Sequence, residues 1–487
     1  MNSSAALDAW ITTEARVATA GMLRAISATD LLMERPGFGQ RVIPRPGSVL
    51  ASPVRAHYDP DPDYFFHWFR DSALVCDALR VALLAGYAAP SAIRQFHEIV
   101  QFTRSLQSLD GREFLRSHNF RAKVQPAFLQ YLRAEPEIAA LAGDAVRADV
   151  RVNADGTPDF IRWSRPQNDG PALRALALLR WWRDFPQLRH ADALTAALAD
   201  VIRTDLAFAL THVREPCADI WEEESGYHYY SQLVQAEALT RGAAWLQESG
   251  PDATAEASHL AAEETLARLD DLWNEPDGCY RSRSDAAGAE AGMDPNIAVI
   301  LAVLHAERAG ARHGVLDPRT QATLTALEEF CEAQYAINRA RPPDRGPALG
   351  RYPSDHYSGG GAWFLATLAA AEFYFRLAGS LRRGAQLAVV AANARFRQRL
   401  GVAEAAGSEE WAHRALERGA AIMRTVRAFT PETGELSEQF DRTTGAQTSA
   451  KHLSWSYAAF ITAAASRTEA LRPTRGADRG ALPAGTA

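Results

Sequence analysis

Ala73-Leu74-Val75-Cys76-Asp77-Ala78-Leu79 forms a segment that is apolar on nearly every side. Two later stretches, 297–301 and 363–368, have the same character. A helix that is apolar all round is buried all round. The sequence therefore predicts several helices that lie in the interior of the molecule.

The segments between these buried helices are amphipathic. Ala262, Leu266, Leu269 and Trp273 recur at helical intervals and leave charged residues on the other faces. About twelve helical segments alternate in this way along the chain, against a weak strand signal. The predicted segments are 5–27, 71–87, 90–108, 171–186, 190–213, 226–249, 252–274, 294–310, 318–339, 361–380, 407–428 and 453–467. Buried and amphipathic helices in alternation predict an all-α fold, an (α/α)6 barrel with an inner and an outer ring.

The chain shows no internal repeat and no interdomain linker. We predict one barrel domain over residues 1–467, with an extended insertion at about 111–160. The insertion has helical propensity at 124–142 and a strand-like Val150-Arg151-Val152. Residues 468–487 are rich in proline and glycine and are expected to form a flexible tail. The longer connections precede the buried helices, so they are expected to emerge at one end of the barrel.

Composition excludes several classes of function. A net charge of -7 provides no basic field for nucleic acid. No run is long and apolar enough to span a membrane, and the first residues lack a secretion signal, so we expect a soluble, cytoplasmic protein. The four cysteines are widely spaced and are expected to be free and buried. No dinucleotide or phosphate-binding fingerprint occurs, and we expect no cofactor.

One run combines an aromatic residue, a turn and a helix start. It extends from Trp163 through Pro166 and Asn168-Asp169-Gly170 to Ala175. Asp169 is suited to cap the helix that follows. An aromatic side chain on a loop ahead of a helix offers a platform for a flat ligand such as a sugar ring. The competing interpretation is a tryptophan that packs at a corner of the fold.

Two loops carry the acidic groups that could perform chemistry. The first, 219–226, contains Trp221, Glu222 and Glu223, and the second, 436–441, contains Glu438 and Gln439. Both precede predicted helices and are expected at the same barrel end. Two carboxylates that face one pocket are the minimal equipment for glycoside hydrolysis. Taken separately, each loop is also compatible with acids near a helix start or with an ordinary surface loop.

Two further clusters add polar and aromatic side chains. The segment 63–72 contains Tyr64, Trp68, Arg70 and Asp71, and a fork of donors beside an acceptor suits neighbouring sugar hydroxyls. It is also compatible with a helix cap and a surface ion pair. The segment 350–363 contains three successive glycines, which allow a close approach to a ligand or form a mobile lid.

Histidines do not indicate a metal centre. His67, His228 and His452 precede buried segments, but no HxH or HExxH spacing is present. We therefore predict no metal site.

These four segments, in this order, resemble the glucoamylases, glycoside hydrolase family fifteen. The opening residues Ala9-Trp10-Ile11-Thr12-Thr13-Glu14-Ala15 are also similar to the first helix of that family. The resemblance covers nearly the whole catalytic domain. It implies an (α/α)6 barrel and inverting release of β-glucose from the non-reducing ends of α-glucosides. We expect short malto-oligosaccharides as substrates.

The resemblance also implies roles for individual residues. Glu222 corresponds to the general acid and Glu438 to the general base that activates the attacking water. The other correspondences place Tyr64 and Gln439 beside that water, Arg70 and Asp71 on the terminal glucose, Trp68, Trp221 and Trp455 around that glucose, and Trp163, Glu223 and Arg351 on the leaving-group side. Asp355 and Trp363 lie in a matching loop with less defined roles.

The sequence departs from the family in several respects, and three alternatives remain. We expect neither a starch-binding domain nor the N-terminal β-sandwich of many prokaryotic members. The stretch 358–362 is poor in side chains, and the connection 111–148 is longer than usual. We expect this insertion to lean over the pocket mouth and to limit the sites for longer glucans. Within the family, trehalose or α-1,6-linked glucosides could be the substrate. Outside it, a phosphorylase and a non-catalytic sugar-binding protein are the competing classes.

Overall fold

In the computed structural model, the described residues are 3–56, 61–190, 192–248, 250, 252–284, 292–308, 310, 312–403 and 405–472. Most of the expected flexible tail lies outside these ranges, since only residues 468–472 of it are described. Residues 468–471 belong to the last helix.

Helices dominate the described part of the chain. In chain order they are α1 (Ser3–Arg24), α2 (Phe69–Ala85), α3 (Ile93–Leu106), α4 (Gly111–Ser117), α5 (Glu135–Ala139), α6 (Asp144–Arg147), α7 (Asp169–Asp184), α8 (Asp192–His212), α9 (Tyr229–Gln247), α10 (Ala253–Asp270), α11 (Ile297–Ala306), α12 (Pro318–Gln334), α13 (Ala336–Arg339), α14 (Phe364–Arg382), α15 (Ala394–Leu400), α16 (Ser408–Phe429) and α17 (Ser454–Leu471). Each predicted helical segment overlaps one of the long helices.

The long helices form two concentric rings. The inner ring consists of α2, α7, α9, α11, α14 and α17, each of which contacts the next, and α17 closes the ring on α2. Helices α1, α3, α8, α10, α12 and α16 pack outside it. Inner and outer helices alternate along the chain, so the predicted (α/α)6 barrel is confirmed. The apolar segments 73–79 and 297–301 belong to the inner ring, and so does 363–368 except for Trp363, which directly precedes α14.

Helix boundaries follow local chemistry. Asp252 and Asp317 cap α10 and α12 by accepting backbone N–H groups of the first turn. Gly86 ends α2 with φ of 73°, a conformation that favours glycine. Trp273 was predicted inside a helix, but α10 ends at Asp270 and Trp273 lies in a short strand.

All six inner helices begin at the same end of the barrel. Asp71, Trp363 and Trp455, at or near the starts of α2, α14 and α17, line one cavity at that end. The start of α11 is joined to the same region, because the indole of Trp221 donates to Asn296. The expectation that the longer connections meet at one end is therefore confirmed for these helices.

Short antiparallel strands connect these loops. They are β1 (Met33–Arg35), β2 (Gln40–Val42), β3 (His67–Trp68), β4 (Arg151–Val152), β5 (Cys217–Ala218), β6 (Ser225–Gly226), β7 (Trp273–Asn274), β8 (Cys279–Tyr280), β9 (Ala362–Trp363), β10 (Gln439–Phe440) and β11 (Gln447–Thr448). Trp68 pairs with Arg151, which confirms the strand predicted there. Gln439 pairs with both Trp363 and Thr448. These pairings fix loops from distant parts of the sequence against each other.

The insertion packs on the side of the barrel. Its buried apolar side chains form a separate cluster with the loops before α2 and α7; members from the insertion include Phe114, Phe120, Val124, Leu132, Ile138, Leu141 and Val146. Arg133 and Arg165 both bind Asp149, which ties the insertion to the loop ahead of α7. No described residue of 111–148 lines the cavity. The apolar residues of the insertion are buried beside the barrel, while Leu132 pairs with Ile161 shortly before Trp163. The expectation that the insertion leans over the pocket mouth stays a prediction.

Two further observations concern the described residues. All four cysteines are buried and free, as expected. Among the described helices, none combines the length and apolar character that a membrane crossing requires.

Candidate active site

A cavity of about 340 Å³ lies at the barrel end where the inner helices begin. Its lining residues are Ala51, Pro62, Asp63, Tyr64, Trp68, Arg70, Asp71, Trp163, Ile220, Trp221, Glu222, Glu223, Arg351, Tyr357, Trp363, Glu438, Leu453 and Trp455. All the predicted site residues except Gln439 are among them. Segments that are separated by hundreds of residues in the sequence thus meet around one space.

The loop that carries Glu222 is folded around the carboxylate of Asp219. This carboxylate accepts the backbone N–H groups of Trp221 (3.2 Å), Glu223 (2.7 Å) and Glu224 (2.9 Å). Glu222 has a φ of 65°, in the left-handed region that residues other than glycine rarely adopt. The turn around Asp219 therefore holds Glu222 in a conformation that a regular element would not give it.

Three donors converge on the carboxylate of Glu222. The indole N–H of Trp68 and the guanidinium of Arg70 both donate to Oε1, each at 2.9 Å. The indole N–H of Trp163 donates to Oε2, and the hydroxyl of Ser164 donates to the backbone carbonyl. Trp163 is 37% exposed, so it stands at the rim of the cavity. The run around Trp163 therefore contacts the predicted acid directly.

Arg70 is the centre of a buried charged cluster. Its guanidinium donates to Gln167 at 3.1 Å and to Asp169 at 3.3 Å, and it lies 3.8 Å from the carboxylate of Asp71. Burial raises the pKa of Asp71 to about 7, although Arg70 acts in the opposite direction. Burial also raises the pKa of Asp169. The predicted grip on a sugar is thus a buried network, and not a surface ion pair.

Gln167 and Asp169 were missed as members of the site. Both stand in the run after Trp163, where Asp169 was interpreted only as a helix cap. Gln167 joins the cluster to the acid loop, since its amide also donates to the carbonyl of Asp219 at 3.3 Å. Their position at the start of an inner helix was the available signal.

Glu223 faces a second arginine. Its carboxylate accepts from Arg351 at 2.9 Å and from the hydroxyl of Tyr352. Arg351 is also bound by the carboxylate of Asp355, at 2.8 Å from Nε. Burial disfavours the charge of Arg351, but Asp355 and Glu223 outweigh it and keep its pKa above the usual range. We call Glu223, Arg351, Tyr352 and Asp355 the arginine clamp.

Aromatic rings surround the clamp and the cavity. The guanidinium carbon of Arg351 lies 5.2 Å from the ring centres of both Trp221 and Trp363. Trp68 and Trp163 meet edge to face with centroids 6.2 Å apart. Trp455 lies 5.4 Å from the guanidinium carbon of Arg70. These rings provide apolar faces that suit the C–H faces of a sugar.

Glu438 is far from these groups in the sequence and lies in the loop ahead of α17. Its backbone N–H donates to Ala450 at 2.8 Å, and its carbonyl accepts from Phe364 at the start of α14. The side chain accepts a hydrogen bond from Ser449. Burial raises the pKa of Glu438 to about 7, and the bond from Ser449 acts in the opposite direction. Glu438 is therefore a buried carboxyl group with a hydroxyl partner.

Two further residues next to Glu438 had no predicted role. The hydroxyl groups of Tyr64 and Tyr357 lie 2.9 Å apart, and Tyr357 lies 3.4 Å from the hydroxyl of Ser449. Tyr357 stands in the glycine-rich segment, where an aromatic residue was visible in the sequence. Ser449 belongs to no pattern. Its φ of 61° and its contact with Glu438 appear only in the structure.

Gln439 is placed differently from the other predicted residues. Its side chain is fully buried and is not part of the cavity lining. The amide accepts from the backbone of Gly361 at 3.2 Å and donates to the carbonyl of Tyr357 at 3.3 Å. In this structure Gln439 therefore holds the glycine-rich segment against β10.

The histidines are used for structure. His67 accepts the backbone N–H of Val49 at 2.9 Å, and burial lowers its pKa to about 3. His452 bonds with the hydroxyl of Tyr457 at 2.8 Å. In the described ranges, no group of three or more histidine, cysteine, aspartate or glutamate residues is arranged to hold a metal ion.

Known proteins share this architecture. The structure of a family 15 glucoamylase from Hypocrea jecorina superposes with a TM-score of 0.78 at 24% identity, over 96% of this chain and 73% of that one. A glucoamylase from Saccharomycopsis fibuligera gives a TM-score of 0.77 at 22% identity, over 95% and 96% of the two chains. At these identities the likeness establishes the fold.

Curated relatives are also glucoamylases by name. Glucoamylase-1 of Arthroderma benhamiae is 29% identical over 441 residues, which cover 87% of this chain and 65% of the relative. An intracellular, sporulation-specific glucoamylase of Saccharomyces cerevisiae is 28% identical over 473 residues, 88% of this chain and 80% of the relative. The chain thus spans slightly less than two thirds of the first of these relatives.

The model of one protein family matches almost the whole chain. The family is described as glycosyl hydrolases family 15, and the match runs from residue 37 to residue 465. This range includes every residue that lines the cavity. The chain therefore belongs to glycosyl hydrolases family 15.

Proposed function

We propose that this protein is an inverting, exo-acting α-glucosidase of the glucoamylase type. It releases β-glucose from the non-reducing ends of α-glucosides, with short malto-oligosaccharides as substrates. The observation that carries the proposal is that Glu222 and Glu438, from loops more than 200 residues apart, line one cavity. Membership of the family supports the reaction class, and the geometry of the cavity supports the roles of the two carboxyl groups.

Binding of the terminal glucose is assigned to the Arg70 cluster and the rings beside it. Arg70 offers donors and Asp71 offers an acceptor, which together match neighbouring hydroxyl groups. Asp71 is buried in the first turn of an inner helix, so this part of the cavity is its inner end, and we infer that the barrel closes it. A closed inner end accepts a chain terminus and not the middle of a chain. This supports an exo-acting enzyme.

Glu222 is assigned the role of general acid. It transfers a proton to the glycosidic oxygen as the bond between that oxygen and the anomeric carbon breaks. The carboxylate that remains is then stabilised by Arg70 and Trp68, both 2.9 Å from Oε1. Trp163, on the other oxygen and at the rim, lies where the leaving group departs.

Glu438 is assigned the role of general base. It takes a proton from the water whose oxygen attacks the anomeric carbon from the opposite face, which inverts the configuration. After one turnover Glu438 is protonated and Glu222 is ionised, so both must exchange a proton with solvent before the next. An inverting pair requires room for this water, and we expect the two carboxyl groups to be roughly 6.5–9.5 Å apart.

The decisive experiment is NMR detection of the anomer released from maltotriose. We expect β-glucose to appear first and α-glucose to appear later by mutarotation. If α-glucose appeared first, the assignment of Glu438 as the base would be wrong. The Glu438→Gln variant at equal concentration provides the control for background hydrolysis.

A substrate panel separates the alternatives. Maltose, maltotriose, isomaltose and trehalose are compared with and without inorganic phosphate. Faster release of glucose from isomaltose or trehalose than from maltose would identify the enzyme as a hydrolase of α-1,6-glucosides or of trehalose within the same family. Phosphate-dependent formation of glucose phosphate would indicate a phosphorylase, and binding without release would indicate a sugar-binding protein.

A further inference from the structure

A chain of three hydroxyl groups leads from the cavity to Glu438. It begins at Tyr64, whose hydroxyl lies 2.9 Å from that of Tyr357. The hydroxyl of Tyr357 lies 3.4 Å from that of Ser449, and Ser449 is bonded to Oε2 of Glu438. Tyr64, Tyr357 and Glu438 all line the cavity.

The number of hydrogen atoms limits the directions of these bonds. An ionised carboxylate only accepts, and each hydroxyl group has one hydrogen to donate. Ser449 therefore donates its hydrogen to Glu438. The hydroxyl of Tyr64 is also hydrogen-bonded to Glu438, and this bond, like the bond from Ser449, favours the ionised carboxylate. Tyr357 lies between these two donors, 2.9 Å from the hydroxyl of Tyr64 and 3.4 Å from that of Ser449.

Tyr357 occupies the middle of this chain and is held from the other side by the arginine clamp. Its backbone N–H donates to Asp355 at 2.9 Å, and the guanidinium carbon of Arg351 lies 5.4 Å from its ring centre. Its carbonyl accepts from Gln439 at 3.3 Å. The backbone and ring of Tyr357 are thus fixed by one half of the site, while its hydroxyl reaches the other half.

We propose that Tyr357 is a positioning residue, whose hydroxyl orients Ser449 and Tyr64, the two hydroxyl groups that hold Glu438 as an ionised base. The inference rests on the proposed role of Glu438 as the general base. Tyr357 links that base to the arginine clamp, because its backbone and ring contact the clamp while its hydroxyl contacts Tyr64 and Ser449.

The Tyr357→Phe variant removes the hydroxyl and keeps the ring. Hydrogen bonds in a chain strengthen one another, so Ser449 becomes a weaker donor to Glu438 when Tyr357 no longer donates to it. We expect kcat to fall by about 10- to 100-fold, because the base and the water lose their fixed orientation. KM should change by less than about threefold, because the ring still faces the substrate. The acidic limb of the profile of kcat/KM against pH should move to higher pH.

The matched control is Tyr352→Phe, which removes a hydroxyl from the same segment. Tyr352 donates to Glu223 in the clamp and has no part in the hydroxyl chain. We expect this variant to raise KM and to leave the acidic limb in place. A limb that did not move in Tyr357→Phe, or a rise in KM with kcat unchanged, would show that Tyr357 only shapes the pocket.

A double-mutant cycle gives an independent test. Since Tyr357 acts through Ser449, adding Tyr357→Phe to Ser449→Ala should lower kcat much less than Tyr357→Phe does alone. Effects that simply multiply would overturn the proposal. If Tyr357→Phe lacks a cooperative thermal transition, Tyr64→Phe removes a hydroxyl that is bonded to both Tyr357 and Glu438 and should move the limb in the same direction. An unmoved limb in Tyr64→Phe would then decide against the proposal.

A readout without turnover separates this proposal from the proposed function. Infrared titration of the buried carboxyl groups follows Glu438 directly, and the band that Glu438→Gln lacks identifies it. We expect Tyr357→Phe to shift this titration to higher pH. If the unmodified protein released no glucose from any α-glucoside, the proposed function would fail, and the infrared shift would still decide the role of Tyr357. An unchanged titration would refute it.

Discussion

Glu222 and Ser449 share a backbone feature that marks the two sides of the site. Their φ angles are 65° and 61°, and a side chain in this region costs about 1–2 kcal/mol relative to ordinary backbone. Both conformations are held by surrounding hydrogen bonds. The loop of Glu222 is fixed by Asp219, and Ser449 is fixed by its bond to Glu438. Strain at Glu222 and at the hydroxyl partner of Glu438 is consistent with a requirement for exact direction at those positions.

The first prediction concerns the two carboxyl groups. We expect Glu222→Gln and Glu438→Gln each to lower kcat by about 10²- to 10⁴-fold with a smaller change in KM, because proton transfer acts in the transition state. Asp71→Asn should lower kcat and raise KM, because it removes a contact to the bound sugar in both states. Steady-state kinetics on maltotriose measure both constants. Near-normal turnover by Glu222→Gln would eliminate its assignment as the acid.

The second prediction concerns pH. A base must be ionised, and burial raises the pKa of Glu438 to about 7. We therefore expect kcat/KM to fall as the pH decreases below about 7, by tenfold per pH unit for one proton. Ser449 acts against this rise, so Ser449→Ala should move the limb to still higher pH. A limb that stayed in place in Ser449→Ala would show that another group controls it.

At the scale of elements, the sequence predicted the barrel because its helices differ in kind. The stretch 73–79 is apolar all round and has no polar face for solvent, whereas the helix with Ala262, Leu266 and Leu269 has an apolar face and a polar face. This difference distinguishes inner-ring helices from outer-ring helices. The cavity followed from the expected meeting of loops at one end. Most of the site residues were visible because they stand in motifs immediately ahead of inner helices.

What the sequence could not predict depends on contacts between distant segments. Ser449 lies in no motif, and only the approach of Glu438 and Tyr357 gives it a partner. Gln439 is placed beside the water by resemblance, and the contacts of its amide with Gly361 and Tyr357 appear only in the structure. The apolar residues of the insertion do not repeat regularly, so the surface that they cover could not be derived from the sequence.

The third prediction concerns the insertion. Ile138 is fully buried in its cluster, and Ile138→Ala should lower the free energy of unfolding by about 2–5 kcal/mol. Because the described part of 111–148 does not line the cavity, the ratio of kcat/KM for maltoheptaose to that for maltose should not change. Denaturant unfolding and kinetics on both substrates test the two statements. A changed ratio with an unchanged stability would restore a role for the insertion in substrate length.

The fourth prediction concerns helix α1. Burial raises the pKa of Glu14 to about 7, and its Oε1 has no hydrogen-bond partner in the described structure. Between about pH 4.5 and 7, Glu14 is therefore neutral in the folded protein but ionised in the unfolded chain. The neutral form stabilises the folded state at low pH, and this stabilisation is lost as the pH rises through that range. We expect Glu14→Gln to weaken the fall in thermal stability across this window. An identical pH dependence in both proteins would contradict the shift.

At the scale of the whole molecule, the direction of the inner helices makes the barrel electrically polar. Helix dipoles place roughly half a positive charge at each N-terminus and half a negative charge at each C-terminus. The positive ends of the inner helices therefore lie at the cavity end, where Asp71 and Asp169 stand in the first turns of α2 and α7. At the opposite end, Arg180 and Arg241 donate to the carbonyl of Ala306, where α11 ends.

This polarity favours one end of such a barrel for acid and base chemistry. A carboxylate in the first turn of an inner helix gains a compensating field from the backbone, in addition to the side chains around it. The same carboxylate at the last turn would face the negative end of the helix. Substitutions can therefore alter which sugar fits the cavity, while the direction of the chain decides which end of the barrel offers this field.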